Sequence, residues 1–351
     1  MLGGANRTAV SGVKGALAVG AAVLLLGGCG GGDDEDQTES ESVPESAQPE
    51  DGAAPEPITD AGAQAIDIDE RLVNELEIEG GPSWLADGFG SLWLKRDDGV
   101  VMRIDPESGK VIAEIETAPF KQPVCQGLGV SDAAIWTCPR GGTLVRIDPS
   151  LNTADAEIAI DNLVDQVHLA SVDGAVWVLT KEGHELTAID NATGKTSLQV
   201  RLPETCNDLS VLGDSIWITC YVADKVLQVD ARSGKVVDEI ELDGPRAIAA
   251  GKELWVGFGS GVAQIDPNSL EVLNVYEAYP GVTGAIFAGP SGTWVREEGE
   301  RFLMRIDPEL GEITEVIEAP QLPSGGDVVQ IGDSVWATAY NDAALVQLRA
   351  K

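Results

Sequence analysis

The chain of 351 residues carries 58 acidic against 23 basic side chains, a formal charge of −35. That balance argues against nucleic acid and anionic lipid as partners, because both are gripped through clustered Lys and Arg. Apolar residues make up 43% and Gly is abundant at 41, so a large core with many tight turns is available, and the length does not by itself demand more than one domain.

Residues 1–28 read as an export signal. Arg7 and Lys14 precede the apolar run Ala16–Leu26, which is too short to cross a bilayer at roughly 20 residues per helix and has the length of a signal h-region. The run ends in Leu26-Gly27-Gly28-Cys29, which resembles the bacterial lipobox. The resemblance implies cleavage before Cys29, a diacylglyceryl thioether on its sulfur, and acylation (palmitate) of the new amino terminus. Several acyl chains hold a protein stably on a membrane where one does not. The expected location is therefore extracytoplasmic, lipid-anchored to the cell membrane; an ordinary secretory signal with an incidental Cys is the alternative.

Residues 29–65 form the next segment. Between Asp33 and Glu70 stand 14 acidic residues and no Lys or Arg. With few large apolar side chains, such a stretch cannot offset its ordering entropy and reads as a disordered, self-repelling stalk. From Arg71 onward 44 acidic and 21 basic residues leave −23, so the folded part is acidic in its own right. A salt-rich habitat, a cationic ligand or simple solubility each fit.

Residues 66–351 repeat. Trp93, Trp136, Trp177, Trp217, Trp255, Trp294 and Trp336 follow one another at intervals of 43, 41, 40, 38, 39 and 42. Units of about 40 to 45 residues with four short strands are the signature of propeller blades. In the stretch 210–242, SVLGDSIWITC is two strands around a turn, KVLQVD a third, and KVVDEIEL an alternating fourth. The third strand ends as RIDP at 103–106, 146–149 and 305–308, AID at 188–190, QVD at 228–230 and QID at 264–266. Asp there bonds the backbone ahead and a following Gly takes positive φ. The last unit stops after its third strand, while ERLVNELEIEG at 70–80 matches a fourth strand with no first three. The expected fold is all-β, a seven-bladed β-propeller closed by the N-terminal strand, which removes an exposed sheet edge. An eight-bladed ring or open solenoid is the alternative. One Trp per blade reads as packing between sheets.

Besides Cys29 there are four cysteines. Cys125 and Cys206 each lie 11 residues before their blade Trp, and Cys138 and Cys220 two and three after theirs. Each pair brackets a hairpin, which predicts disulfides Cys125–Cys138 and Cys206–Cys220, worth ~3 kcal/mol each for loops of about 14 residues. An even set in an exported chain supports this. Zinc is the alternative, though no CxxC or nearby His accompanies the thiols.

Nine residues before each Trp, at the entrance to the innermost strand, stand Trp84, Gly127, His168, Asp208, Arg246, Ala285 and Asp327. The next position is apolar throughout: Leu85, Leu128, Leu169, Leu209, Ala247, Ile286 and Val328. Chemistry thus varies at the mouth while the core face persists. Trp84, Gln126, His168, Asn207, Asp208, Arg246 and Asp327 are the candidate ligand-binding residues, with His168 and Asp208 as candidates for acid–base work. A hydrogen-bonded polar ring that merely fills the channel explains the same residues. Loops between second and third strands add Arg96, Arg140, His184, Tyr221, Arg296 and Tyr340. No metal-ligand motif, glycine-rich phosphate loop or Ser-His-Asp spacing is present, and no cofactor is expected.

Units such as SIWITCYVADKVLQVDARSGKVVDEIEL and AAIWTCPRGGTLVRIDPSLNTADAEIAI resemble the YncE/YVTN-type propeller repeat and that of streptogramin (virginiamycin B) lyases; quinoprotein dehydrogenases are a weaker match. The resemblance covers roughly 66–351 and implies an exported binder in the first case. In the second it implies a His base beside a Mg²⁺-bound carboxylate site, a constellation that His168 and His184 do not reproduce in context. The leading expectation is a monomeric, membrane-anchored binding module with a small-molecule or protein ligand at its funnel. The alternatives are a lyase or lactonase-like enzyme with its site in the same funnel, and an accessory subunit of a membrane complex.

Overall fold

The structure, a computed structural model, describes residues 55–117, 127–140, 142–160, 163, 168–259, 261–278 and 285–351. Cys29, Cys125, Gln126, the expected export signal (1–28) and most of the segment expected to form a stalk (29–65) lie outside the described residues. Among those described, no helix is long and apolar enough to cross a membrane.

Seven antiparallel units of four strands follow one another. Their first strands are Pro82–Gly88, Leu128–Val130, Ala170–Val172, Asp208–Leu212, Pro245–Ala250, Ile286–Gly289 and Val328–Ile331. Each first strand touches those of both neighbouring blades, and the seventh touches the first. The ring is closed. Blade 7 draws its outermost strand from the start of the chain: Leu72–Glu77 pairs antiparallel with Ala344–Arg349. The closing strand is therefore the one the repeat predicts.

The seven tryptophans are each at most 2% exposed, and each reaches into the next blade. Trp93 packs on Ile135 and Val145 of blade 2, Trp217 on Leu254 and Val256 of blade 5, and Trp336 on Leu92 and Leu94 of blade 1. One large indole per blade thus fills the wedge between sheets that splay outward from the axis.

The recurrent third-strand ending does two further jobs. Asp105 Oδ1 accepts from the Ser108 amide and hydroxyl at 2.8 and 2.6 Å, and Asp190 and Asp230 do the same with Thr193 and Ser233. Gly109, Gly194 and Gly234 close these turns at φ between 65° and 68°. In blades 1, 2 and 7 the Arg or Gln at the position two residues before that ending's last residue latches the next blade. Arg103 donates to Pro149 O at 2.6 Å and Asn152 Oδ1 at 2.9 Å, Arg146 to Asn191 O at 3.1 Å, and Gln347 to Pro106 O at 3.1 Å.

The Cys206–Cys220 disulfide is present. Cys138 is disulfide-bonded as well; Cys125, its expected partner, is outside the described residues.

The chain engages the propeller upstream of Ile66, where the sequence places the start of the domain. Ile58 N donates to Val275 O and Ile58 O accepts from Glu277 N, at 2.7 and 2.8 Å, on the outer edge of blade 5. Gln64–Asp67 then adds a parallel fifth strand to Glu312–Glu318 of blade 6. Ile66 and Ile68 are buried beneath this strap, and the single helical turn Ile68–Arg71, capped by Asp67, leads into the closing strand. The alternation of acidic and small residues hides the strap from a composition-based reading; its signal is the pair of isoleucines, Ile66 in the strand and Ile68 opening the helical turn, both buried.

Candidate functional site

The inner edge of each first strand faces the axis with no strand beside it, so its inward N–H groups need other acceptors. Two aspartates supply them. Asp208 Oδ1 accepts from its neighbour Leu209 N at 2.9 Å, and Oδ2 from Ile248 N in blade 5 at 3.1 Å. Asp327 repeats the device across the ring's seam, taking Val328 N at 2.8 Å and Leu85 N of blade 1 at 2.7 Å. Both side chains are buried. Each carboxylate therefore stitches two blades together at the mouth.

His168 belongs to the same cluster. Its Nδ1 lies 2.8 Å from Asp208 Oδ1, and its side chain keeps 27% exposure. The Trp84 indole meets the imidazole edge-on, centroids 4.4 Å apart. Trp84 stands in blade 1 and His168 in blade 3, and the side-chain-free Gly127 occupies the equivalent place in blade 2 between them. Burial lowers the imidazole pKa, but the charge and hydrogen bond of Asp208, with Asp327 behind it, outweigh this and lift it to about 9. Burial pushes Asp327 up to about 6, against the pull of His168 and its two backbone donors. At neutral pH the mouth holds an imidazolium between two carboxylates.

Below it a cavity of about 240 Å³ runs down the axis, with His168 and Asp327 at one end and small side chains such as Ala86, Ala170, Ser210 and Ala249 along its walls. Among the described residues no group of three or more His, Cys, Asp and Glu side chains is placed to hold a metal ion.

Arg246 is not part of this cluster. In blades 4 and 7, Leu209 faces Ile218 and Val328 faces Ala337, nine residues on, whereas in blade 5 Ile248 faces Val256, eight on. The blade 5 hairpin is one residue shorter, so counting nine back from Trp255 overshoots the mouth. Ala247 takes that place, Ile248 replaces Ala247 in the apolar row, and Arg246 aligns with Asn207. These two meet instead on the rim. Asn207 Nδ2 and Thr219 Oγ1 both donate to Arg246 O at 2.8 Å, Asn207 Oδ1 accepts from Tyr221 N at 3.0 Å, and the guanidinium stacks 4.0 Å above the Tyr221 ring.

The other loop residues are committed to the scaffold. Arg296 is fully buried, donating to Thr338 O, Phe302 O and Ser324 O at 3.0, 2.9 and 2.5 Å and to Glu297 O, with its guanidinium 3.8 Å over Phe302. Burial pulls its pKa down to about 9. Tyr340 donates to Asp97, Arg96 pairs with Asp98 and Glu114, and His184 Nε2 meets Thr205 Oγ1 at 2.9 Å. The Arg140 side chain is outside the described residues. Two notable side chains escape the sequence reading. Lys95 is fully buried, its Nζ donating to Arg96 O at 2.6 Å, and burial drops its pKa to about 8. Val222 is 77% exposed at the tip of the Tyr221 loop, and an apolar residue two places after a disulfide cysteine is the one local hint of it.

Residues 97–350 match the profile of the family described as outer membrane protein assembly factor BamB. The chain belongs to that family. No curated protein sequence matches this BamB-family chain significantly. Among solved structures it is similar to the WD40 β-propeller domain of Doa1, at 12% identity and TM-score 0.64, covering 80% of this chain and 97% of that one. It is similar also to the propeller domain of Myceliophteria thermophila Cps50 (Swd1), at 12% and 0.65, covering 79% and 98%. The computationally designed Ika8 protein matches at 12% and 0.59, covering 80% and 99%. At that identity the likeness speaks for the BamB-family chain's propeller architecture alone.

Proposed function

We propose that this BamB-family chain is an exported lipoprotein, anchored through Cys29, whose propeller is a non-enzymatic module that binds a partner protein at its mouth face. The observation that carries the reading is the state of the mouth cluster. Both carboxylates are spent on inner-edge N–H groups, and His168 is held as imidazolium up to about pH 9. A general base must be unprotonated near the working pH; His168 is paired with Asp208, and each aspartate is engaged by backbone N–H groups of two blades, which weighs against the lyase or lactonase-like alternative. The cavity of about 240 Å³ is smaller than the roughly 300–1,000 Å³ of ordinary small-molecule pockets, which favours a protein over a small ligand. The family's description as an assembly factor points the same way, towards an accessory subunit of a membrane complex. Kinship with the YncE-type and streptogramin-lyase propellers belongs to this proposal and rests on the repeat units.

The test is photo-crosslinking of the full-length, membrane-fractionated protein. A crosslinker at Tyr340 or Glu298, on the loops around the mouth, should capture a discrete protein, and one at Leu151, on a turn of the opposite face, should not. Equal capture from both faces would refute the assignment of the mouth as the binding face. Replacing Cys29 by Ala should release the protein from the membrane fraction.

A further inference from the structure

One loop on the mouth face is organised beyond what its own backbone requires. The segment Tyr221–Ala223 follows Cys220 directly, so the Cys206–Cys220 disulfide pins its base. Asn207 takes the Tyr221 amide, and Asp224, at φ 54°, accepts from Gly244 N at 2.8 Å. Gly244 lies flat against the Tyr221 ring, where a Cβ would come within 3.2 Å of the ring carbon Cε2. Arg246 covers the ring at 4.0 Å. This rigid frame presents Tyr221 at 42% and Val222 at 77% exposure, a tip that no core contact explains. Beside it opens a cleft of about 410 Å³ lined by Asp224, Glu241 and Asp243 together with Ala223, Lys225 and Leu242. The Lys225 ammonium is turned onto Glu239 at 2.8 Å and also faces its cross-strand partner Glu241, so the cleft holds three carboxylates against one shared ammonium.

We infer that the Tyr221–Val222–Arg246 pad and the adjoining acidic cleft form a docking surface for a partner polypeptide segment carrying an apolar side chain next to Lys or Arg. The inference deepens the binding-module reading and rests on it. Three physical points support the occupant. Tyr and Arg are the residue types that concentrate binding energy at interfaces. A loop already fixed by a disulfide and side-chain bonds loses little entropy on binding. The cleft's charge complements a cationic side chain and opposes an acidic one, and the folded part as a whole carries an acidic excess.

The test uses short fluorescent peptides of alternating Lys and Leu, alternating Glu and Leu, and alternating Lys and Gly, titrated into the intact protein and followed by anisotropy. The Lys–Leu peptide should bind saturably, more weakly as salt is raised, and the other two much less. Val222→Asp, at a site with no packing role, should weaken it by roughly tenfold or more, and Asp243→Asn by a smaller factor. Leu151→Asp, at an exposed turn of the opposite face, should leave it unchanged, which separates the pad from a general effect of added charge. Equal binding of the Glu–Leu or Lys–Gly peptide, or indifference to Val222→Asp, would overturn the pad while leaving capture around the mouth as a separate result. A self-association seen by ultracentrifugation and abolished by Val222→Asp would overturn it too, by assigning the surface to a second copy.

Discussion

His168 offers the sharpest quantitative check, because its environment makes a signed demand on stability. Its pKa is raised from 6.5 to about 9 by Asp208 and Asp327 against the opposing effect of burial. At roughly 1.4 kcal/mol per unit, the imidazolium contributes at most about 3 kcal/mol. The folded state holds the proton more tightly than the unfolded one. The contribution is therefore complete below pH 6.5, shrinks as the pH rises through the window to about 9, and is absent above it. Asp327, raised from 3.8 to about 6, titrates below that window. Substituting His168→Gln keeps a donor for Asp208 but removes the titration. Urea denaturation of both proteins across the window should show a stability gap of up to about 3 kcal/mol that closes as the pH rises. With only two His in the chain, imidazole NMR signals can be assigned by difference and the pKa read directly. A gap independent of pH, or an imidazole titrating near 6.5, would refute the reasoning.

Other outcomes follow from the scaffold. Trp336→Ala, which empties the wedge between blades 7 and 1, should cost about 3–5 kcal/mol in denaturant titrations. Replacing both Cys206 and Cys220 by Ser should cost about 3 kcal/mol and raise amide exchange in the Tyr221 loop before any other part of blade 4. Lys95→Met removes a buried ammonium whose pKa falls from 10.5 to about 8. That lowering disfavours the folded parent below pH 8 and the penalty is relieved between pH 8 and 10.5, so the variant should be at least as stable as the parent at neutral pH and its advantage should shrink across that window. Ile66→Asp, at a position 2% exposed, should loosen the strap, seen as faster exchange of residues 64–67 and of the edge strand 312–318 they cover.

Much of this architecture is readable residue by residue. The Trp interval, the x-I-D turn and the unmatched fourth strand at 70–80 lead to a closed seven-bladed ring, since each is a local pattern repeated until its phase is unmistakable. The Cys206–Cys220 bridge is legible for the same reason, being confined to one hairpin whose register the repeat supplies. The candidate site is only half legible. The counting that places His168, Asp208 and Asp327 at one mouth also places Arg246 there, and it fails because one hairpin turn is a residue shorter. A slip of one position in a strand sends a side chain to the other face, and here it sends Arg246 from the mouth to the rim.

By itself, then, the sequence determines the number of blades, how the ring closes and which strand ends meet at the axis, because those follow from a periodic alternation of buried and exposed residues. Only the tertiary structure decides what the polar residues at those ends do. Asp208 and Asp327 cap the inner edges of two blades each, Trp84 reaches over Gly127 to His168, and the segment from Ile58 to Ile68 belts blades 5 and 6. Each depends on a contact between chain segments far apart in sequence, whose partners come together only in the folded ring.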